Sequence, residues 1–217
     1  MTGNVVIITS PSGGGKGTLI KEVLKNVPNI GYSVSLTTRP QRPGEVDGVD
    51  YNFVSRAAFE DFKARGEFLE FAEVHGNLYG TSLTVTEKLT AAGRDVILEI
   101  DVQGAAEVLA KMPDAISIFI LPPSFEALAQ RLTARATEGP AELALRLRNS
   151  FDEVNRYTEF KYVVVNDNLT AAVKRLQSII VGQRQLRTRQ TVSIRDILNS
   201  FDMAKKAYVQ DSSKKYG

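Results

Sequence analysis

A glycine-rich segment near the amino terminus carries the clearest chemical signal in the sequence. Residues 10–18 read SPSGGGKGT, so that Lys16 follows three consecutive glycines. Glycines let the backbone turn its N–H groups inward, and the first turn of a helix has unpaired N–H groups at its positive end. Such a loop binds anions, and a lysine beside it can accompany a phosphoryl group during transfer. The segment therefore predicts a phosphate-binding site with Lys16 as a catalytic cation.

This loop departs in two places from the common phosphate-binding pattern G-x-x-x-x-G-K-[ST]. Ser10 takes the place of the first glycine, and Gly17 takes the place of the hydroxyl that usually contacts Mg²⁺. Either Thr18 supplies that hydroxyl, or water, phosphates and a carboxylate elsewhere hold the metal. From these residues alone, an ordinary glycine-rich turn between a strand and a helix stays open as the alternative.

Two carboxylates stand at the end of an apolar stretch, residues 95–100. Glu99 and Asp101 are two positions apart, so both side chains point to the same side of the predicted strand. In a parallel sheet the carboxyl end of this strand lies beside the glycine loop, where a carboxylate can hold Mg²⁺ directly or through water. An N-cap role for Asp101 stays open beside the metal role.

Arginines stand where a second anion would need them. Arg39 and Arg42 lie in segment 37–48, whose two prolines and two glycines exclude continuous helix or sheet. A guanidinium group binds phosphate through two parallel hydrogen bonds and keeps its charge in any site. We therefore expect this loop to bind an anion. Four later arginines, taken singly, fit a solvated surface as well: Arg131, Arg135, Arg146 and Arg148.

The segments that must position these residues alternate between strand and helix patterns. The predicted strands of the main sheet are 4–9, 95–100, 115–121 and 161–165, and the predicted helices begin near 19, 83, 103, 124, 140, 169 and 193. This alternation predicts an α/β fold, a parallel sheet flanked by helices. Residues 32–83 interrupt it as a small β-rich insertion, in which 32–36 is predicted to be one strand. Leu169 is predicted to face the core from its helix.

Composition narrows the classes of function. The chain has 217 residues, 43% of them hydrophobic, and a net charge of +2 from 27 basic and 25 acidic residues. This balance gives no reason to expect a nucleic-acid or membrane partner. Cysteine is absent, which excludes disulfides and thiolate chemistry, and the single histidine, His75, cannot build a histidine-rich metal site. Without a leader sequence or a long apolar run, the protein is expected to be soluble and cytoplasmic.

Several motifs, in the same order along the chain, resemble the guanylate kinase family. They are SVSLTTR at 33–39, RPGE at 42–45, GVDYNF at 48–53, EFLE at 67–70, GNLYGT at 76–81, LEIDVQG at 98–104 and VNDN at 165–168. The resemblance covers residues 3–183 and implies a P-loop fold that moves the terminal phosphoryl group of ATP to GMP, with Mg²⁺ as cofactor. It implies a core of 3–31, 84–123 and 156–183, a GMP-binding insertion of 32–83, a helical lid of 124–155 and a C-terminal extension of 184–217. The predicted helix 193–207 would pack on the core or on a second subunit.

The resemblance also assigns roles residue by residue. The guanine contacts would be Ser35, Glu70 and Thr81, the contacts to the GMP phosphate Arg39, Arg42, Tyr51 and Tyr79, and the acidic pair near GMP and the metal Glu99 and Asp101. The ATP-binding set would be Ser10, Pro11, Ser12, Gly13, Gly14, Gly15, Lys16, Gly17, Thr18 and Asn166. Arg135 and Arg146 would clamp phosphates beside the catalytic Lys16 and Arg39, and Thr18 and Asp101 would hold Mg²⁺ through water. One departure is Ala136, where the family usually has glycine.

Two alternatives stay open beside an active GMP kinase. Guanylate-kinase-like domains of scaffolding proteins bind peptides without catalysis, and related kinases phosphorylate AMP or pyrimidine monophosphates. Guanine presents its N1–H and exocyclic amine side by side, and one carboxylate such as Glu70 can accept both, whereas adenine has no N1–H. The sequence leaves the oligomeric state open, a homo-oligomer included.

Overall fold

A five-stranded parallel sheet forms the core of the computed structural model, which describes residues 2–74, 76–134 and 139–215, with side chains described up to residue 206. Its strands are β1 (Val5–Thr9), β2 (Ile30–Tyr32), β7 (Asp95–Glu99), β8 (Ile116–Leu121) and β9 (Tyr162–Val165). Across the sheet their order is β2-β7-β1-β8-β9, and all neighbouring strands are parallel. The predicted parallel α/β fold is confirmed.

Helices cover both faces of this sheet because successive side chains of its strands point to opposite sides. The helices are α1 (Lys16–Asn26), α2 (Arg56–Ala64), α3 (Leu83–Ala91), α4 (Val102–Lys111), α5 (Phe125–Ala134), α6 (Pro140–Asn155), α7 (Leu169–Gln183) and α8 (Thr191–Lys215). Ile8 packs in one core cluster with residues of α1 and α7, whereas its neighbour Ile7 packs in a second cluster with Ala105 and Val108 of α4. The two clusters fix α1 and α4 at the carboxyl edge of β1 and β7.

A second sheet of four strands lies within the predicted insertion. Its order is β4-β3-β6-β5, formed by β3 (Leu36–Thr37), β4 (Asn52–Phe53), β5 (Phe68–Val74) and β6 (Asn77–Ser82). The rings of Phe59 from α2 and Phe68 from β5 stack 4.5 Å apart beneath it. The register of β5 against β6 shifts between Phe68 and Glu70, which marks a β-bulge at Leu69. Bulges re-aim the side chains beside them, and here the neighbouring side chain is Glu70.

Three expectations about individual elements are wrong. Residues 32–36 are not one strand, because the chain leaves the core sheet after Tyr32 and enters the second sheet at Leu36. Leu169 is exposed at the first position of α7, where the helix has only just begun to pack. The last helix, α8, starts at Thr191 and continues to Lys215 instead of ending at 207.

In the part of α8 whose side chains are described, residues 191–206, the large apolar side chains are exposed and do not pack on the core of their own chain. Ile197, Leu198 and Phe201 are exposed, the last by 68%. Packing of this part of the helix on the core is therefore wrong, and packing on a second subunit stays a prediction. No helix in the described parts of the chain combines the length and the apolar character needed to cross a membrane.

Candidate active site

The glycine loop connects β1 to α1 at the carboxyl edge of the core sheet. Gly15 precedes α1 with a φ of 88°, in the left-handed region that favours glycine. A Cβ atom at Gly15 would lie 2.6 Å from Nδ2 of Asn166, so a side chain does not fit at this position. Because glycine also offers no capping side chain, the first N–H groups of α1 are suited to an anion.

Side chains from α5, from α6 and from the segment after β9 hold this loop. Nδ2 of Asn166 donates to the carbonyl of Gly14 across 3.0 Å, and Nη2 of Arg131 donates to the carbonyl of Asn166 across 2.9 Å. The backbone N–H of Ser12 donates to Oε2 of Glu153 across 2.9 Å. The structure thus adds Arg131 from α5 and Glu153 from α6 to the loop contacts that the sequence indicated.

Ser10 and Gly17, the two departures from the phosphate-loop pattern, both fit their surroundings in the structure. The Ser10 hydroxyl donates to the carbonyl of Pro11 across 2.9 Å. A Cβ atom at Gly17 would lie 3.6 Å from Oε1 of Glu99, an ordinary contact, so a side chain at this position would face Glu99. Thr18, which was predicted to supply the missing hydroxyl, is exposed in the first turn of α1.

Lys16 and Glu99 face each other at the edge of the core sheet. Nζ of Lys16 lies 3.6 Å from Oε1 of Glu99, and the Tyr32 hydroxyl donates to Oε2 of the same carboxylate across 3.1 Å. Burial and the negative charge of Glu99 both raise the pKa of Tyr32, so its hydroxyl stays a donor. Glu99 therefore holds Lys16 beside the glycine loop.

Asp101 serves as the N-cap of α4. Its Oδ1 accepts the N–H of Gly104 across 2.8 Å, which confirms the capping role that the sequence left open. The described residues contain no group of three or more histidine, cysteine or acidic side chains that could hold a metal ion. A magnesium ion here would take most of its ligands from phosphates and water, which is its usual preference in kinases. Asp101 and the Thr18 hydroxyl fit that role.

A buried carboxylate lies in the second sheet. Glu70 is 3% exposed, and its Oε1 accepts the hydroxyl of the fully buried Thr81 across 2.5 Å. Burial raises the pKa of Glu70 to about 7, although the hydrogen bond from Thr81 opposes this shift. Ser35, the third predicted guanine contact, is also buried. As a carboxylate, Glu70 can accept two adjacent N–H donors.

The arginine loop is organised around Glu45, a residue to which the sequence assigned no role. Its Oε1 accepts from Nη2 of Arg39 across 2.7 Å, and its Oε2 accepts from the backbone N–H of Arg42 across 2.8 Å. Partial burial tends to raise the pKa of Glu45, but these two hydrogen bonds outweigh it and lower the pKa. The Arg39 guanidinium lies 5.3 Å from the ring centre of Tyr51, and Tyr51 meets Tyr79 edge-on at 5.9 Å. The loop therefore presents a fixed cation beside two phenol groups.

The predicted phosphate clamp of the lid is described only in part. Arg146 lies on α6, with its Nε 3.8 Å from Oε1 of Glu142 one turn earlier. Arg135, Ala136 and Thr137 lie outside the described residues, as does His75.

Residues 2–183 match the model of the family described as guanylate kinase. The chain belongs to the guanylate kinase family. The family model ends just before the C-terminal extension, so it includes the glycine loop, Glu70 and Asn166 but not α8.

Individual guanylate kinases match most of the chain. The guanylate kinase of Symbiobacterium thermophilum is 47% identical over 196 residues, which are 90% of this chain and 93% of that protein. The guanylate kinase of Methylobacillus flagellatus is 48% identical over 198 residues, or 91% and 98% of the two chains. The crystal structure of guanylate kinase from Anaplasma phagocytophilum superimposes with a TM-score of 0.74 at 34% identity and covers 87% of this chain and 89% of that chain.

Sequence reasoning missed four contacts in this guanylate kinase family member. Arg131, Glu153, Glu45 and Tyr32 each hold a predicted site residue or the glycine loop. Glu45 was within reach of the sequence, because an acid three residues after Arg42 can bind that loop locally. The other contacts join residues far apart in the chain and become visible only in the folded structure.

Proposed function

We propose that this protein is an active guanylate kinase, which transfers the γ-phosphoryl group of ATP to GMP and yields ADP and GDP. One observation supports this more than any other. The lysine-bearing glycine loop and the buried pair of Glu70 and Thr81 occur in one chain of the guanylate kinase family. The first feature suits the phosphates of ATP, and the second suits the N1–H and amine of guanine.

The reaction needs positive charge more than it needs a base. The accepting phosphate of GMP is ionised at neutral pH, so no side chain has to remove a proton, but two polyanions must meet in line. Lys16, Arg39 and Arg42 would offset their repulsion, together with Arg146 and Arg135 from the predicted lid. Tyr51 and Tyr79 would donate to the GMP phosphate, and Ser35 would join Thr81 at the base.

We further propose Mg²⁺ as the cofactor, held through water by Thr18 and Asp101, with Glu99 nearby. When bound, the ion neutralises charge on the phosphate oxygens of ATP. Lys16, whose Nζ lies 3.6 Å from Oε1 of Glu99, would contact these phosphates from the end of the glycine loop. The proposed substrates and the composition of the chain are consistent with a cytoplasmic location of the protein.

The test is a direct assay with ATP, Mg²⁺ and GMP, in which ADP and GDP are both quantified. We expect equimolar ADP and GDP from the native protein, and a loss of about 100-fold or more in kcat for Lys16→Ala, because removing one transition-state charge has effects of this size. Lys25→Ala is the matched control, because Lys25 lies exposed on the same helix and pairs only locally with Glu22. Native protein that forms no GDP, or forms it equally well with Lys16→Ala, would contradict the proposal.

A further inference from the structure

The backbone of α4 forms one wall of the pocket around the Glu70 carboxylate. Gly104, in the first turn of α4, is buried, and a Cβ atom at this position would lie 2.5 Å from Oε2 of Glu70 and 3.0 Å from its Cδ. Contacts this short do not occur between a methyl group and a carboxylate. The carboxylate therefore occupies space that any residue other than glycine would fill.

Glu70 has little freedom to move away from this wall. Its Oε1 is held by the Thr81 hydroxyl at 2.5 Å, and its side chain is almost fully buried. On the backbone side, the bulge at Leu69 is anchored to the same helix, because Nζ of Lys111 donates to the carbonyl of Leu69. The Leu69 side chain packs with Ala105 and Val108 of α4. Glu70 is thus fixed by its hydroxyl partner, by its strand and by the helix wall.

The wall itself is fixed by the core sheet. Oδ1 of Asp101 accepts the N–H of Gly104 across 2.8 Å, so this N–H is already engaged and does not bind Glu70. The preceding residue, Ile100, accepts the hydroxyl of Thr9 across 2.9 Å, which ties the start of α4 to the end of β1. The position of Gly104 is therefore set by contacts within α4 and with β1, and the Glu70 carboxylate packs against it.

We propose that Gly104 is a positioning residue for base selectivity, which sets the depth and orientation of the Glu70 carboxylate. The inference rests on the proposed function, in which Glu70 accepts N1–H and the exocyclic amine of guanine. Two parallel hydrogen bonds require both carboxylate oxygens to face the base, and a methyl group at position 104 would displace Oε2. The displacement would therefore weaken the binding of guanine, which has two donors, more than that of hypoxanthine, which has N1–H but lacks the amine.

The test compares Gly104→Ala with Gly182→Ala. A Cβ atom at Gly182, in α7, would have no neighbour within 4 Å, so the control adds the same methyl group to a helix without a clash. We expect Gly104→Ala to raise the Kd for GMP about tenfold, as the loss of one hydrogen bond to a charged group does. The Kd for ATP stays within about twofold, and the preference for GMP over inosine monophosphate falls. Gly182→Ala should change none of these.

A second variant keeps the proposal testable if Gly104→Ala folds poorly. Glu70→Asp shortens the side chain by one methylene and withdraws the carboxylate from position 104. Combined with Gly104→Ala, it should recover the Tm that the single variant loses. An unchanged ratio of GMP to inosine monophosphate affinity in a folded Gly104→Ala, or no recovery in the double variant, would overturn the proposal. Native protein that fails to phosphorylate GMP would instead overturn the proposed function, so the two failures are distinguishable.

Discussion

The hydroxyl of Thr81 donates to Glu70 across 2.5 Å, between two neighbouring strands of the second sheet. Both side chains are buried, so the carboxylate is held in one orientation before any ligand arrives. A ligand that brings two adjacent N–H groups meets acceptors already in place and orders little on binding. The same burial makes an incorrect ligand costly, because a desolvated carboxylate would keep the Thr81 hydroxyl but lack the donors that guanine supplies.

Glu70→Gln should lower kcat/KM for GMP about 100-fold and leave the KM for ATP within about threefold. The amide keeps one acceptor oxygen but turns a donor group toward the base, which removes a hydrogen bond to a charged partner. Steady-state kinetics with each substrate varied in turn measures both effects. Glu73→Gln, at an exposed position of the same strand, is the control. If Glu70→Gln leaves the preferred base unchanged, the acceptor is AMP or a pyrimidine monophosphate instead.

Binding of the guanine base should weaken as the pH falls through 7. In the proposed role of Glu70, the base requires the charged carboxylate. Since burial raises the pKa of Glu70 to about 7, that form dominates above this pH and is lost below it. The apparent Kd rises as this fraction falls, by about tenfold between pH 8 and pH 6. Calorimetry with guanosine is the right measurement, because a nucleoside lacks the phosphate that itself titrates near pH 6. A flat profile in native protein would contradict the role of Glu70, and Glu70→Gln should be flat.

Glu153→Ala should raise the KM for ATP about tenfold while the Kd for GMP stays unchanged. The N–H of Ser12 loses a charged acceptor, and the glycine loop loses its contact with α6. Glu153→Gln should behave like native protein, because its amide oxygen can still accept. Asp152→Ala, at the exposed neighbouring position, controls for the loss of a charge on α6. Equal effects of the two alanine variants would show that the contact with Ser12 does not matter.

Arg184→Ala should lower the free energy of unfolding by about 2–3 kcal/mol, which is the range for a largely buried charged pair that loses one partner. Nε of Arg184 donates to Oδ2 of the buried Asp95 across 2.7 Å, and Nη2 donates to the carbonyl of Pro28 across 2.9 Å. Urea denaturation measures the change. Arg187→Ala, which removes an exposed arginine nearby, should stay within about 0.5 kcal/mol. A loss as small for Arg184→Ala would mean that Asp95 is satisfied by other partners.

Local patterns were enough to predict four of the five strands of the main sheet and the glycine loop, and to indicate the cap at Asp101. Each depends on neighbours within a few residues, as when Oδ1 of Asp101 accepts the N–H of Gly104 at the start of α4. The end of β2 at Tyr32 could not be predicted from such local patterns. Residues 32–36 alternate like a strand, but only the pairing partners reveal that Tyr32 belongs to one sheet and Leu36 to the other.

The contacts that support the site could not be predicted from the sequence for a different reason. Glu153 and Ser12 are 141 positions apart, and Gly104 meets Glu70 only because α4 packs against β5. Nothing in the residue types distinguishes Gly104 from a glycine that merely ends a turn. Its importance lies in a distance between two elements, and sequence spacing within either element does not encode that distance.

The close fit between Gly104 and Glu70 joins two parts of the chain, the predicted core and the predicted GMP-binding insertion. Glu70 comes from the predicted insertion, whereas Gly104, against which its carboxylate packs, comes from the predicted core. Transplanting residues 32–83 alone into a related enzyme would therefore transfer Glu70 without Gly104 and the first turn of α4, which contact its carboxylate. A chimera intended to inherit the choice of nucleobase should carry the opening turn of α4 along with the graft.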